Sequence, residues 1–133
     1  MTKAPALLVL ALALAACRTG ELPPGGVAAL DGYWEGEAAV SLGLSGCPRL
    51  TPFSMTVRNG DVEGVVRNPN NHAVVSANFY GFVDTDGTMT TSARTMAEDI
   101  AIRGRFETAT RFMGETKGRD CTTRLRLEKK RPL

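Results

Sequence analysis

The side chains that most often carry out catalysis are sparse in this chain, which has a single histidine, His72. A lone histidine cannot form a zinc site without further ligands at suitable spacing. It acts as a general base only beside a nucleophile, and the Gly-x-Ser-x-Gly elbow of many hydrolases does not occur in the sequence. Because His72 follows an Asn-rich turn, we interpret it as a solvated turn residue.

The acidic residues offer two weak patterns. Asp84, Asp86 and Gly87 match the opening of a calcium loop, but residues 88–96 supply no further ligands at the right places. Glu35 and Glu37 would lie on one face of a strand, ~7 Å apart, close to the carboxylate separation of inverting glycosidases. Neighbouring acids on a solvent-facing strand are common, however. We therefore predict a turn at the first pattern, no metal, no cofactor and no enzymatic activity.

The first 17 residues have the layout of an export signal. Lys3 gives a positive start, and residues 6–16 are uninterrupted apolar. A membrane-spanning helix needs ~20 such residues, so this run is too short to span and has the length of a secretory signal core. It ends in Leu14-Ala15-Ala16-Cys17.

This tetrapeptide resembles the lipobox of bacterial lipoproteins at every position. The resemblance implies removal of residues 1–16 and a diacylglyceryl thioether on Cys17, often followed by acylation of the new amino terminus. Two or three acyl chains make a long-lived membrane anchor. Arg18 stands where an Asp commonly retains Gram-negative lipoproteins in the inner membrane, which favours the outer membrane facing the periplasm. The alternative is an ordinary signal peptide with a chance cysteine.

Once Cys17 carries lipid, Cys47 and Cys121 remain as an even pair. The compartment beyond the inner membrane is oxidising, so we expect a disulfide between them. The alternative is a pair of free reactive thiols. Cys47 follows the first predicted strand and Cys121 begins the last, and these strands are neighbours in a closed meander.

Residues 17–30 contain the run Pro23-Pro24-Gly25-Gly26, which opposes regular structure. We predict a lipidated tether here, and the alternative is an arm packed along the domain. Residues 31–128 form the predicted domain, and residues 129–133 a basic tail.

Within the domain, apolar and polar residues alternate with period two, as in half-buried strands. Trp34, Ala38 and Leu42, for example, would share one face of the first strand. Asn59-Gly60 is the preferred pair for a tight hairpin turn. The pattern predicts an all-β fold, a small up-and-down antiparallel meander of about eight strands forming a closed or nearly closed barrel, with a sandwich as the alternative.

Charge limits the partners. The net charge of the whole chain is only +2, which gives no case for nucleic acid. Residues 117–131, however, hold seven basic and two acidic side chains. We expect this basic face, with Arg103, Arg105 and Arg111 added, to be able to contact an envelope protein, an anionic glycan or anionic lipid. The alternative is a solvated strand face with a disordered tail.

The residues 32–36, the hairpin around Asn59-Gly60, the 84–87 turn and the Cys121 strand together resemble small exported β-domains of proteobacteria. One Trp near the first strand and a two-cysteine barrel are also similar to lipoprotein relatives of bacterial metalloprotease inhibitors, small barrels that insert an N-terminal segment into the protease. We predict a membrane-anchored, non-enzymatic envelope lipoprotein whose barrel is a binding or structural module. The alternatives are a barrel-type protease inhibitor and a small-ligand carrier.

Overall fold

Among the residues that the structure describes, alternating apolar and polar side chains form eight strands, and one short 3-10 helix precedes them. The structure, a computed structural model, describes residues 21–43, 47, 50–66, 77–95 and 98–133. The 3-10 helix spans Val27–Leu30. The strands are β1 Gly32–Gly43, β2 Leu50–Arg58, β3 Asp61–Val66, β4 Ala77–Phe82, β5 Thr88–Arg94, β6 Asp99–Thr108, β7 Arg111–Lys117 and β8 Cys121–Arg131. Residues 67–76, between β3 and β4, lie outside the described residues.

All strand pairs are antiparallel, and the sheet order is β4-β3-β2-β1-β8-β7-β6-β5. β1 therefore pairs with both β2 and β8, so the first and last strands join the meander into a ring. Within the described residues β4 and β5 share no ladder, and the Thr91 hydroxyl donates a hydrogen bond to the Tyr80 carbonyl across this seam. The predicted all-β, up-and-down, nearly closed barrel is confirmed.

Aromatic rings fill the barrel. Trp34 meets Phe106 edge to face with ring centroids 5.0 Å apart, and Phe106 in turn lies 4.8 Å from Phe112. Interior glycines make room for such rings: Gly64 pairs with Phe79 across β3 and β4, and a Cβ at Gly64 would overlap the ring. A glycine shielded by a cross-strand aromatic ring is a recurrent device in curved sheets.

The N-terminal segment packs against one end of the barrel, which we call the arm end. The turns at 59–60, 84–87 and 109–110 also lie at this end. Leu30 is fully buried, and Leu22 packs against the core. The Trp34 indole N–H donates to the Leu30 carbonyl at 2.9 Å, and Lys129 Nζ donates to the Ala29 carbonyl at 2.5 Å. Residues 21–30 thus follow the packed-arm alternative, because the open end of the barrel leaves apolar surface and the indole N–H to be covered. Residues 17–20 lie outside the described residues.

Strand β8 runs three residues farther than the alternation predicted. Lys129, Lys130 and Arg131 belong to β8, where a basic tail was expected. Their pairing with β1 explains this, since Arg131 lies opposite Tyr33 in the register. The Arg131 guanidinium also lies 4.8 Å from the Tyr33 ring, a favourable cation–π arrangement.

The predicted interior face of β1 holds at its start and fails at its end. Trp34 and Ala38 are buried, but Leu42 is 74% exposed. The ladder between β1 and β8 has an irregularity between Val40 and Leu42. An extra residue at a bulge shifts the alternation by one, which turns the following side chains to the opposite face.

Candidate functional site

The disulfide lies at the end of the barrel opposite the arm, which we call the disulfide end. Cys47 and Cys121 are joined, with their Cα atoms 5.8 Å apart. Gly43, at the end of β1, pairs directly with Cys121 at the start of β8. The bond therefore fastens the two strands that close the ring, and the predicted pairing is confirmed. Cys17 and His72 lie outside the described residues.

The Asp84–Gly87 segment forms a hydrogen-bonded turn between β4 and β5. The Gly87 N–H donates to the Asp84 carbonyl at 2.9 Å, and the Asp86 carboxylate accepts from both the Thr88 hydroxyl and the Thr88 N–H. The hydroxyl bond is the main reason that the pKa of Asp86 lies below its usual value, with the backbone bond next. The carboxylate is thus used to close the turn. Across the part of the chain that the structure describes, no group of three or more His, Cys, Asp or Glu side chains could hold a metal.

Glu35 and Glu37 lie on the outer wall of the barrel, both exposed to solvent. Across the β1–β8 ladder Glu37 faces Arg126, whereas Glu35 faces Glu128. Both acids border a long open groove that follows β1, β2, β7 and β8. A glycosidase places its acid carboxyl in an apolar environment, which this exposed position does not provide.

Basic side chains gather on the outer wall of β6, β7 and β8, with acidic ones among them: Glu128 lies opposite Arg111, and Glu115 lies opposite Arg124. Five outward-pointing arginines form this arginine face: Arg103, Arg105, Arg111, Arg124 and Arg126. The predicted association of the β6 arginines with the C-terminal ones follows from the strand order, which places β7 between β6 and β8. Glu115 bridges to Arg103 at 2.6 Å.

Met113 lies at the centre of the arginine face. It pairs with Arg105 on β6 and with Arg126 on β8. A shallow depression surrounds it, lined by Thr88, Thr90, Arg103, Arg105, Glu115 and Arg124, over the backbone of Gly104 and Gly114. Guanidinium groups bind carboxylates through two parallel hydrogen bonds, so an apolar centre ringed by arginines suits an acidic surface. The sequence indicated the arginines but not Met113, because only the strand register places Met113 among them.

Apolar side chains fill the described part of the barrel interior. Among the described residues, seventeen buried apolar ones form one continuous core. Three of the best-formed depressions in the described chain all lie on the outer wall. The described residues include no helix with the length and apolar character needed to cross a membrane.

Comparison with known proteins supports the fold alone. No protein-family model and no curated protein matches the chain. Among solved structures it is similar to a redesigned β-barrel, with a TM-score of 0.56 and 10% sequence identity, over 80% of this chain and 95% of that one. At this identity the similarity concerns architecture: the chain has the fold of a small β-barrel.

Proposed function

We propose that the protein is a lipid-anchored, non-enzymatic component of the bacterial cell envelope, held at the outer membrane through Cys17, whose barrel binds an acidic protein through the arginine face. The observation that carries the binding role is the set of arginines around Met113 on three adjacent strands. The motif Leu14-Ala15-Ala16-Cys17 supports the anchor. The disulfide between Cys47 and Cys121 is consistent with an oxidising compartment.

A protein fits this face better than a glycan or a lipid headgroup does. Arginine and methionine are both enriched at protein–protein interfaces, and an apolar centre with a charged border is the usual anatomy of such interfaces. Met113 offers that centre, and Arg105, Arg124 and Arg126 offer the border. A polyanionic glycan would need only the charges.

The binding role is tested by capture from envelope extracts with matched charge-reversal variants. The face variant Arg124→Glu/Arg126→Glu and the control Arg58→Glu/Arg94→Glu change the net charge equally, and all four positions are exposed. We expect a protein captured by the wild type and the control to be lost from the face variant by at least about tenfold, as for interface arginines that matter. Equal capture of the protein by both variants would refute the assignment of the arginine face. If the face variant lost only an acidic glycan and no protein, the partner would be a glycan instead.

The anchor is tested separately by Cys17→Ser and cell fractionation. We expect the wild type in the membrane fraction with an acylated Cys17 by mass spectrometry, and the variant released from the membrane or retained as an uncleaved precursor. A variant that matures and fractionates as the wild type does would contradict the lipid anchor.

The two alternatives from the sequence gain no support of this kind. An inhibitor that inserts its N-terminal segment needs that segment free, whereas Leu22 and Leu30 pack against the barrel. A small-ligand carrier needs an internal cavity, whereas aromatic rings fill the described interior.

A further inference from the structure

The N-terminal arm crosses the arm end of the barrel from one wall toward the other. It leaves β1 at Gly32 and reaches the turn between β4 and β5, where a Cβ built on Gly87 would lie 3.3 Å from the Glu21 carbonyl oxygen and 3.7 Å from Leu22 Cα. Val27 lies over Gly60 on the way. The described chain therefore starts beside the β4–β5 turn.

Only four peptide steps separate Cys17 from Glu21. Even fully extended, this segment spans no more than about 14 Å. Acyl chains on Cys17 would thus hold the β4–β5 turn within that distance of the bilayer surface. A free 14-residue tether, as the sequence suggested, would reach more than three times as far.

The wall beside this turn exposes two aromatic side chains. Tyr80 and Phe82 point outward from β4 and are 64% and 63% exposed. Phe82 lies next to Val83, which enters the turn. Across the β3–β4 ladder their partners are Glu63 and Asp61, both acidic and exposed.

We infer that in the anchored protein the β4 wall at the arm end rests on the bilayer, with Phe82 and Tyr80 in the headgroup region. This inference rests on the proposed anchor at Cys17. Aromatic side chains favour the interface between lipid and water. The two aromatic rings provide an apolar contact with the lipid. Because the acidic side chains of Asp61 and Asp84 flank Phe82, anionic headgroups are repelled and weaken this contact.

This orientation leaves the β8 part of the arginine face accessible. In the ring of eight strands β8 lies opposite β4. Arg124 and Arg126 on β8 therefore point away from a bilayer that touches the β4 wall, and they stay available to a protein partner.

The contact is tested on a chain comprising residues 17–133, which includes every described residue. With Cys47 and Cys121 joined, Cys17 is its one free thiol and couples to a maleimide lipid in zwitterionic phosphatidylcholine vesicles with brominated acyl chains. Phe82→Trp reports proximity to the bromine atoms, and Leu42→Trp, a position at the disulfide end that is also largely exposed, is the control. The fluorescence of buried Trp34 is present in every variant, and its quenching is measured in the unsubstituted chain and subtracted.

We expect the tryptophan at position 82 to lose most of its added fluorescence and the one at position 42 to lose none beyond the background. Adding phosphatidylglycerol should reduce the quenching at position 82. Equal quenching at both positions, or stronger quenching with anionic lipid, would overturn the inference. Tyr80→Trp repeats the measurement if Phe82→Trp does not fold. Because the coupling supplies the anchor chemically, failure here is distinct from failure of lipidation in cells, which Cys17→Ser fractionation detects.

Discussion

Removing the disulfide should cost this barrel about 4 kcal/mol of unfolding free energy. Cys47 and Cys121 are 74 residues apart in sequence, and closing a loop of that length in the unfolded chain corresponds to about 4 kcal/mol in the chain-entropy model. Both cysteines are only half-buried, so replacing them with alanine removes little core packing. The loss should therefore arise mainly from the greater freedom of the unfolded chain.

The measurement is urea unfolding of Cys47→Ala/Cys121→Ala against the oxidised wild type. The fluorescence of Trp34, the one tryptophan and a fully buried one, reports the transition. For a domain of roughly 100 residues, a loss of ~4 kcal/mol lowers the melting temperature by roughly 20 °C. Wild type treated with reductant should match the variant, which controls for the substitutions themselves.

A stability loss below about 1 kcal/mol would refute this reasoning, because it would lie far under the loop-closure value. It would show that the ladder between β1 and β8, rather than the covalent link, keeps the ring closed. If the alanine variant lost much stability but reduction left the wild type as stable as before, the loss would be due to the alanine substitutions rather than to the missing disulfide.

Three further predictions concern single positions, each checked by equilibrium unfolding. Gly64→Ala should cost about 1–3 kcal/mol because its Cβ would overlap an aromatic ring, whereas exposed Ser92→Ala should change stability by under about 0.5 kcal/mol; equal effects would contradict the close approach. Thr116→Val should lower the unfolding free energy by about 1–2 kcal/mol, because it leaves the buried Thr123 hydroxyl without its partner at 2.5 Å. Adding Thr123→Val should recover most of that stability. If the double variant instead lost the sum of the two single losses, the result would count against a hydrogen-bonded pair. The folded-state pKa of Asp86 lies below its usual 3.8, so the Asp86 carboxylate stabilises the fold above pH 3.8, and this stabilisation is lost as the pH falls through the folded-state pKa. Asp86→Asn should abolish this part of the acid dependence of the unfolding free energy. A stability difference between wild type and variant that stays constant through that pH range would disprove the prediction.

The candidate binding face shows how far sequence reasoning reaches here. Alternation along β8 placed Arg124 and Arg126 on one face, and the same pattern placed Arg103 and Arg105 on one face of β6. Whether those faces adjoin depends on the order of strands in the sheet, which alternation within a strand does not contain. The register then put Met113 between them.

The sequence by itself determined the local features of the barrel. Period-two alternation fixed the strands, Asn59-Gly60 fixed a hairpin turn, and an even pair of cysteines at the first and last strands predicted the disulfide. These follow from backbone geometry and side-chain burial within a few residues, or from a covalent constraint that needs only two positions.

Tertiary structure alone decided how the ends of the barrel are completed. Leu30 and Leu22 cover the arm end because its apolar surface and the Trp34 indole N–H exist only once the ring has closed. Leu42 turns to solvent because a bulge against β8 shifts the alternation, and Arg131 stays in a strand because β1 supplies its partner. Each of these outcomes depends on contacts between residues distant in the chain, which no local pattern specifies.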